Sequence, residues 1–560
     1  MNTAVKTAKR PPTSKPQGVR QIMSNVHIWT GLLAGWILYA IFLTGTVSYF
    51  RDEISAYMRP ELQIDSAIPA PAVSQRIVDT IFEEAPNAPL ALLTLPTDRN
   101  PLASAFWRNP PTAAPGSPAF GRAIFDPETG QRLAIRDTEG GDFFFGFHFN
   151  LHYMSPLWGR WIAGICAMFM LVAIISGVIT HKKIFIDFFT FRWGKGQRSW
   201  LDAHNALSVL GLPFHFMITW SGLITLMLLY MPWGMQQLPS MSDRAAVNSE
   251  MRFFLPMGEA SGTPATLVPI SQLVQQAEER WGPNSVGAVQ VNLANDSNAR
   301  VAVARQQSQR ISITPQYLLF DGTNGELLFA KESSGAAATT QGVLYGLHLG
   351  RFADIVTRWF YFLVSLAGTA MVGTGLVLWT VKRRTKLPNP TQPYFGFALV
   401  ERLNIASIAG LSIAMTAFLW LNRLLPLDMA QRASWEIHGF FITWLLTLVW
   451  ACVRPAKRAW VELLYTATLL LVLLPVLNFF ITDKHLLHSI TTGDWLFFWF
   501  DISLWLLAVL HGYLAWRVTH HRSKHKAVPS SKPASSRHSM VAKTADVNIP
   551  TTSGSQGEAS

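Results

Sequence analysis

Eight stretches of this chain are apolar for more than 20 residues: 27–50, 152–181, 203–231, 350–381, 398–421, 432–453, 460–481 and 495–517. About 20 such residues in a helix cross a hydrocarbon layer of roughly 30 Å. Inside lipid every backbone N–H and C=O needs a partner, which leaves helices or closed barrels. The apolar fraction of 49% and the charged fraction of 14% fit a polytopic α-helical membrane protein. The net charge of +12 does not imply nucleic acid, because the basic residues sit in short connections between apolar runs. That distribution sets membrane orientation. Cys166 and Cys452 lie inside apolar runs, are spaced for no metal or redox motif, and read as packing.

The N-terminal arm, 1–26, carries Lys6, Lys9, Arg10, Lys15 and Arg20, has no acid before Asp52, and leads into a run without a small-residue cleavage site directly after it. This reads as a retained first helix with a cytoplasmic N-terminus. The even-numbered connections then face the cytoplasm. They hold Lys182, Lys183, Arg192, Lys195 and Arg198 (within 182–202), then Lys382, Arg383, Arg384 and Lys386, then Arg454, Lys457 and Arg458. Arg517, Arg522 and Lys524 follow on the same side, and the Ser/Lys/Ala/Thr-rich tail 523–560 reads as disordered.

Two large segments, 51–150 and 232–345, fall on the other side. Each has an amphipathic helical piece, VSQRIVDTIFEEA from Val73 and ISQLVQQAEERW from Ile270. Each also has two apolar runs joined by a Gly-bearing turn, AIFDPETGQRL from Ala123 and YLLFDGTNGELLF from Tyr317, which match at Asp126/Asp321 and Gly130/Gly325. The correspondence extends into the spans. His27 with Thr44-Gly45 matches His204 with Ser221-Gly222, Leu151-His152 matches Leu347-His348, and Ser176-Gly177 matches Thr374-Gly375. The unit of helix, external α+β domain and helix therefore occurs twice in one orientation, with a pseudo-axis along the membrane normal. The last four spans (398–517) stand outside it.

Histidines cluster in the repeat. His204 and His215 lie eleven residues apart in the third span, on one helical face and about 16 Å apart along it. His27, His181 and His204 fall near the cytoplasmic ends of three helices, with His215 deeper; His148, His152 and His348 fall near the external ends of the second and fourth. One such histidine is as well explained by a hydrogen bond between helices. Seven at two levels point to b-type haem, whose iron takes axial imidazoles from facing helices. A zinc site would more often add Cys, Asp or Glu to the ligands. Arg160-Trp161 and Arg358-Trp359 read first as interfacial anchors and otherwise as partners for haem propionates. Gly194-Lys195-Gly196 lacks the rest of a phosphate loop, and no dinucleotide fingerprint opens a βαβ unit, so electrons would come from a partner or from quinol.

Residues 22–385 resemble the PepSY-associated transmembrane proteins, through VHIWTGLLAG, LTGTVSYFRDEI, FHFNLHYM and above all SGVITHKKIFIDFFTFRWGKGQRSWLDAHNALSVLGLPFHFMITWSG. The resemblance implies two periplasmic PepSY-like domains on a bacterial inner-membrane protein. It also implies haem b, with electrons passed outward from a quinol or cytoplasmic donor to ferric iron held by a siderophore or other chelate. His27, His148, His152, His181, His204, His215 and His348 inherit the candidate ligand role, while His438 and His511 in the extra helices are structural or extend the path. The residues themselves favour pairing His152 with His348, with His148 as alternative, and leave the inner site to be drawn from His27, His181, His204 and His215. A regulatory module binding peptide through its PepSY-like domains, and an iron-chelate transporter, are the competing functions. The first leaves the buried histidines unexplained, and the second lacks acidic pairs in the spans. No catalytic residue is assigned.

Overall fold

The computed structural model describes residues 18–521 except 63–67, 98, 111–117, 182–185, 187, 189, 193, 254 and 391. The basic residues before 18, Lys182, Lys183, Arg522, Lys524 and the tail from 523 lie outside the described residues. Six long helices carry the apolar sequence as unbroken spans: α1 (Val19–Val47), α5 (Pro156–Thr180), α10 (Ile355–Arg384), α12 (Arg432–Val453), α13 (Ala456–Ile481) and α14 (Trp495–Thr519). A seventh, α11 (Phe395–Leu424), contains a π-helical turn at Ala406–Gly410. The molecule is thus a multi-pass membrane protein with a separate antiparallel sheet.

The third apolar run is not one straight helix. It divides into α6 (Gln197–Leu210) and α7 (Leu212–Thr225), bent by 68°, and makes an eighth span only if the pair is counted as one. Pro213 sits in the first turn of α7. Its ring cannot share space with the carbonyl four residues back, and it has no N–H to give, so the chain breaks there.

Two short helices stand before the second and fourth spans, α4 (Gly141–Asn150) and α9 (Ala336–Leu349). Each ends in a residue with left-handed backbone, Leu151 (φ 56°) and Gly350 (φ 62°). These turns separate α4 from α5 and α9 from α10, where the sequence reads His152 and His348 at the ends of the spans themselves.

The two external segments share one sheet. The first supplies α3 (Ala70–Glu84), β1 (Leu90–Thr94), β2 (Ala103–Arg108) and β3 (Phe120–Phe125). The second supplies α8 (Ile270–Trp281), β4 (Val286–Asn292), β5 (Arg300–Arg305), β6 (Tyr317–Asp321) and β7 (Leu327–Lys331). The order is β3-β2-β1-β4-β5-β6-β7, and β1 pairs antiparallel with β4 in the register Leu92↔Gln290. Apolar faces of α3 and α8 close over it in one core that includes Val73, Ile77, Leu273, Val274, Val289 and Val303. The matched turns are alike: Gly130 (φ 72°) donates to Asp126 O at 2.8 Å, and Gly325 (φ 77°) to Asp321 O at 3.0 Å. A strand equivalent to β7 is reduced in the first half to a bridge between Phe125 and Arg132.

Helices α11–α14 pack against the repeat through aromatic and polar contacts. Phe143, Phe144 and Phe147 of α4 join Phe418 and Phe440 in one cluster. Trp36 Nε1 donates to Asn404 Oδ1 at 2.9 Å, and Asn404 donates to Leu376 O at 3.0 Å. Near the sheet end, Tyr57 of α2 (Arg51–Tyr57) donates to Asp501 Oδ1 at 2.9 Å and accepts from Asn478 at 2.7 Å. Arg423 donates to Asn478 at 2.8 Å, and Glu436 accepts from Asn422 at 2.8 Å and from Arg432 at 2.5 Å. Such groups leave water at high cost unless partnered, and here they pair with one another.

Candidate functional site

Four histidines form two facing pairs. On the sheet side, the His148 and His348 rings are 6.1 Å apart between centroids and 40° between planes. At the far end of the bundle, His27 and His204 are also 6.1 Å apart, at 67°. Along α1, the levels marked by Ile41 and His27 are separated by fourteen residues, roughly 21 Å.

Each ring is hydrogen-bonded to a backbone carbonyl of a neighbouring helix. The Nδ1 of His27 donates to Ala173 O (2.8 Å), that of His204 to Met371 O (2.9 Å) and that of His148 to Ile41 O (2.7 Å). The Nδ1 of His348 lies 3.1 Å from Ser221 Oγ, and its ring is hydrogen-bonded to the Ile218 carbonyl. Four residues beyond each of these carbonyls stands a glycine: Gly177, Gly375, Gly45 and Gly222. A Cβ there would lie 3.2, 3.1, 2.5 and 2.9 Å from the respective ring. The missing side chain lets the imidazole reach the helix backbone. With Nδ1 engaged, the Nε2 nitrogen is the one left for a ligand, the usual second-shell arrangement of a metal-binding histidine.

An ion shared by two imidazoles through bonds of about 2.0 Å, each extended by roughly 1 Å to the ring centre, would set the ring centres about 6 Å apart. Both pairs meet that spacing. A porphyrin fills four positions of its iron, so two imidazoles complete it. A bare ion would want more, and no group of three or more His, Cys, Asp or Glu able to hold one occurs among the described residues. A cavity of about 490 Å³ is lined by His148 and His348, by Phe42 and Met170 deeper in the bundle, and by a roof under the sheet carrying Arg51, Asp52, Arg99, Arg305 and Arg351. Ligand pockets are commonly of this size. Burial lowers the Arg351 pKa, and the neighbouring Arg51 adds to the effect, so an anion here would relieve both.

The other candidates stand elsewhere. His152 does not face His348. It stacks on Phe441 (5.2 Å, 14°) and meets Tyr153 edge-on at 4.5 Å, on the side of α4 away from the cavity. The repeat register explains the difference. The matching motif is Gly146-Phe147-His148-Phe149 with Gly346-Leu347-His348-Leu349, whereas the shared Leu-His dipeptide points to His152. His181 bonds the Asn205 amide at 2.9 Å. His215 lies between the levels, with Nε2 3.3 Å from Val364 O and its ring over Gly368, and it faces Phe42 rather than another imidazole. Arg160 donates to Asn150 at 2.8 Å, and Arg358 is ion-paired with Glu53; neither lines the cavity. Arg51, Arg99 and Arg351, and the roles of the four glycines, are absent from the sequence reading. The glycines were visible there as repeat matches, with nothing to say what they faced.

No curated protein matches the chain. The model of the PepSY-associated TM region matches residues 24–382. That match takes in both histidine pairs and ends inside α10, ahead of helices α11–α14. The chain belongs to this family of PepSY-associated membrane proteins.

Proposed function

From that membership, we propose that the protein is a two-haem electron carrier that reduces ferric chelates outside the bacterial inner membrane. The observation that carries the reading is the repeated seat of His27, His204, His148 and His348, in two pairs at trans-ligand spacing near opposite ends of the bundle. Haem b, when bound, supplies an iron that takes and gives up single electrons. His148 and His348 would hold one haem and His27 and His204 the other. The Nδ1–H···O=C bonds of His27, His148 and His204 fix the tautomer and leave Nε2 as the nitrogen that could bind iron. Four arginines and one aspartate at the cavity roof give the positive surplus that propionates need.

The sheet would be periplasmic and both termini cytoplasmic. Arg192, Lys382, Arg383, Arg384, Arg454 and Lys457 lie at the helix ends away from the sheet, which supports that orientation. The two external segments would be paired PepSY-like domains, and a ferric chelate would approach from their side. Quinol or a cytoplasmic reductase would supply the electrons.

The test is haem quantification with absorption spectra on the detergent-extracted protein. Two low-spin b haems per chain are expected. His148→Ala and His348→Ala should each lose the same one, and His27→Ala and His204→Ala the other. His152→Ala should keep both. A colourless protein from cells supplied with ample haem would overturn the reading, and so would loss of haem from the His152 variant alone.

A further inference from the structure

The residue that the repeat register excludes from the haem pair sits in a second constellation. His152 and Tyr153 occupy the turn between α4 and α5, where both Leu151 (φ 56°) and Tyr153 (φ 55°) hold left-handed backbone without being glycine. Such a conformation costs on the order of 1 kcal/mol or more per residue and persists where the surroundings enforce it. Here the turn brings Tyr153 against α12, a helix outside the family match. The Tyr153 hydroxyl and His438 Nδ1 are 2.5 Å apart with their rings stacked at 13°. Trp435 stands edge-on to His438 at 5.4 Å. Tyr153 is 62% exposed and Trp435 46% exposed, on the outer surface of the helical bundle.

His152 completes the group. It is flanked by Phe441 and Tyr153, and neither ring nitrogen makes a hydrogen bond among the described residues. An imidazole whose ring nitrogens are not otherwise engaged can accept a proton. The site thus offers flat aromatic walls, one free imidazole and one hydrogen-bonded Tyr–His pair, reachable from the bilayer. A planar lipid-soluble molecule with a hydroxyl at each end of its ring meets all three features.

We propose that His152, Tyr153 and His438 bind a membrane quinol. His152 accepts one hydroxyl proton. Tyr153 accepts the other while passing its own to His438. The two electrons leave one at a time for two ferric haem irons, by way of the iron held by His148, four residues away in sequence: quinol plus two Fe(III) gives quinone, two Fe(II) and two protons. Two haems then store both electrons of a two-electron donor for acceptors that take one each. The electron step rests on the haem reading above; the binding site does not.

The test uses the full-length protein in nanodiscs with a photoreactive azido-decylbenzoquinone. Label is expected on peptides containing Tyr153 or His438, competed away by decylubiquinone and largely lost in Tyr153→Phe and His438→Leu. Label elsewhere, or label competed by phospholipid but not by quinone, overturns the proposal. In the haem-loaded protein, reduction by decylubiquinol should slow by roughly 100-fold in both variants, with haem content and dithionite reduction unchanged. Wild-type rates in both variants overturn it as well. Correct labelling on a protein that carries no haem would refute the haem reading and leave the quinol site standing.

Discussion

A histidine resting on a helical glycine, four residues past the carbonyl it bonds, occurs in both facing pairs and again at His215 over Gly368, and its tolerance is graded. A Cβ at Gly45 would come within 2.5 Å of the His148 ring, whereas at Gly177 it would lie 3.2 Å from His27. The first contact forces the imidazole to move; the second asks for a few tenths of an ångström. Gly45→Ala should therefore lose the haem of the sheet-side pair, while Gly177→Ala keeps both with a small spectral shift, read from absorption spectra and haem content. The histidines were legible in the sequence because imidazoles in apolar runs are rare and costly. Their pairing was not, because His148 and His152 are four residues apart, one helical turn if the helix continued, and α4 ends before the second of them. The Leu-His dipeptide selects the wrong residue, and only the turn at Leu151 reveals it.

Among the elements, the spans follow from hydropathy and the external hairpins from their turns, but the pairing of β1 with β4 has no local signature. These strands are separated by nearly 200 residues, and each also fits a domain of its own. The bend at Gly211 was marked by Pro213, yet an apolar run reads as continuous when only its length is weighed. Smaller ties hold the sheet's second half. Asp296 accepts backbone N–H bonds from Ser261 (3.0 Å), Gly262 (2.8 Å) and Asn298 (2.8 Å), fastening the segment before α8 to the β4–β5 turn. Those bonds, that from Asn298 first, lower its pKa to about 2. A group depressed in the folded state contributes above its unfolded pKa of about 4 and loses that contribution as pH falls through the folded value. Hydrogen exchange at Gly262 should thus be slower in wild type than in Asp296→Ala at pH 5 to 7. The difference should close as pH approaches 2. A gap that persists there would mean the aspartate is not what holds the segment.

For the whole molecule, the two pairs differ in what surrounds them. His27 and His204 are seated on α5 and α10, and the extension reaches their helices through Asn404 and Val400, whereas α4, which carries His148, is backed by the larger aromatic faces of Phe418 and Phe440. Ending the chain after Leu387 should therefore leave the far pair intact and loosen the sheet-side one. The expected readout is a fall from two haems per chain toward one, with the surviving spectrum abolished by His27→Ala. Retention of both would show that α4 holds its place without the aromatic cover.

The central β1–β4 pairing carries a consequence for descent. Every ring in the two pairs is anchored within its own half of the repeat, yet each faces a ring from the other half: His27 against His204, and His148 against His348. A single half would own two well-seated imidazoles and no complete site, with β1 left as a bare edge that only another strand could cover. Such a half could have completed its facing pairs only as a homodimer, the two copies joined through their sheets. The present chain holds both halves in one polypeptide. One chain can also let its halves differ, and they do so midway between the pairs, where the second half sets His215 and Gly368 and the first sets Leu38 and Met170.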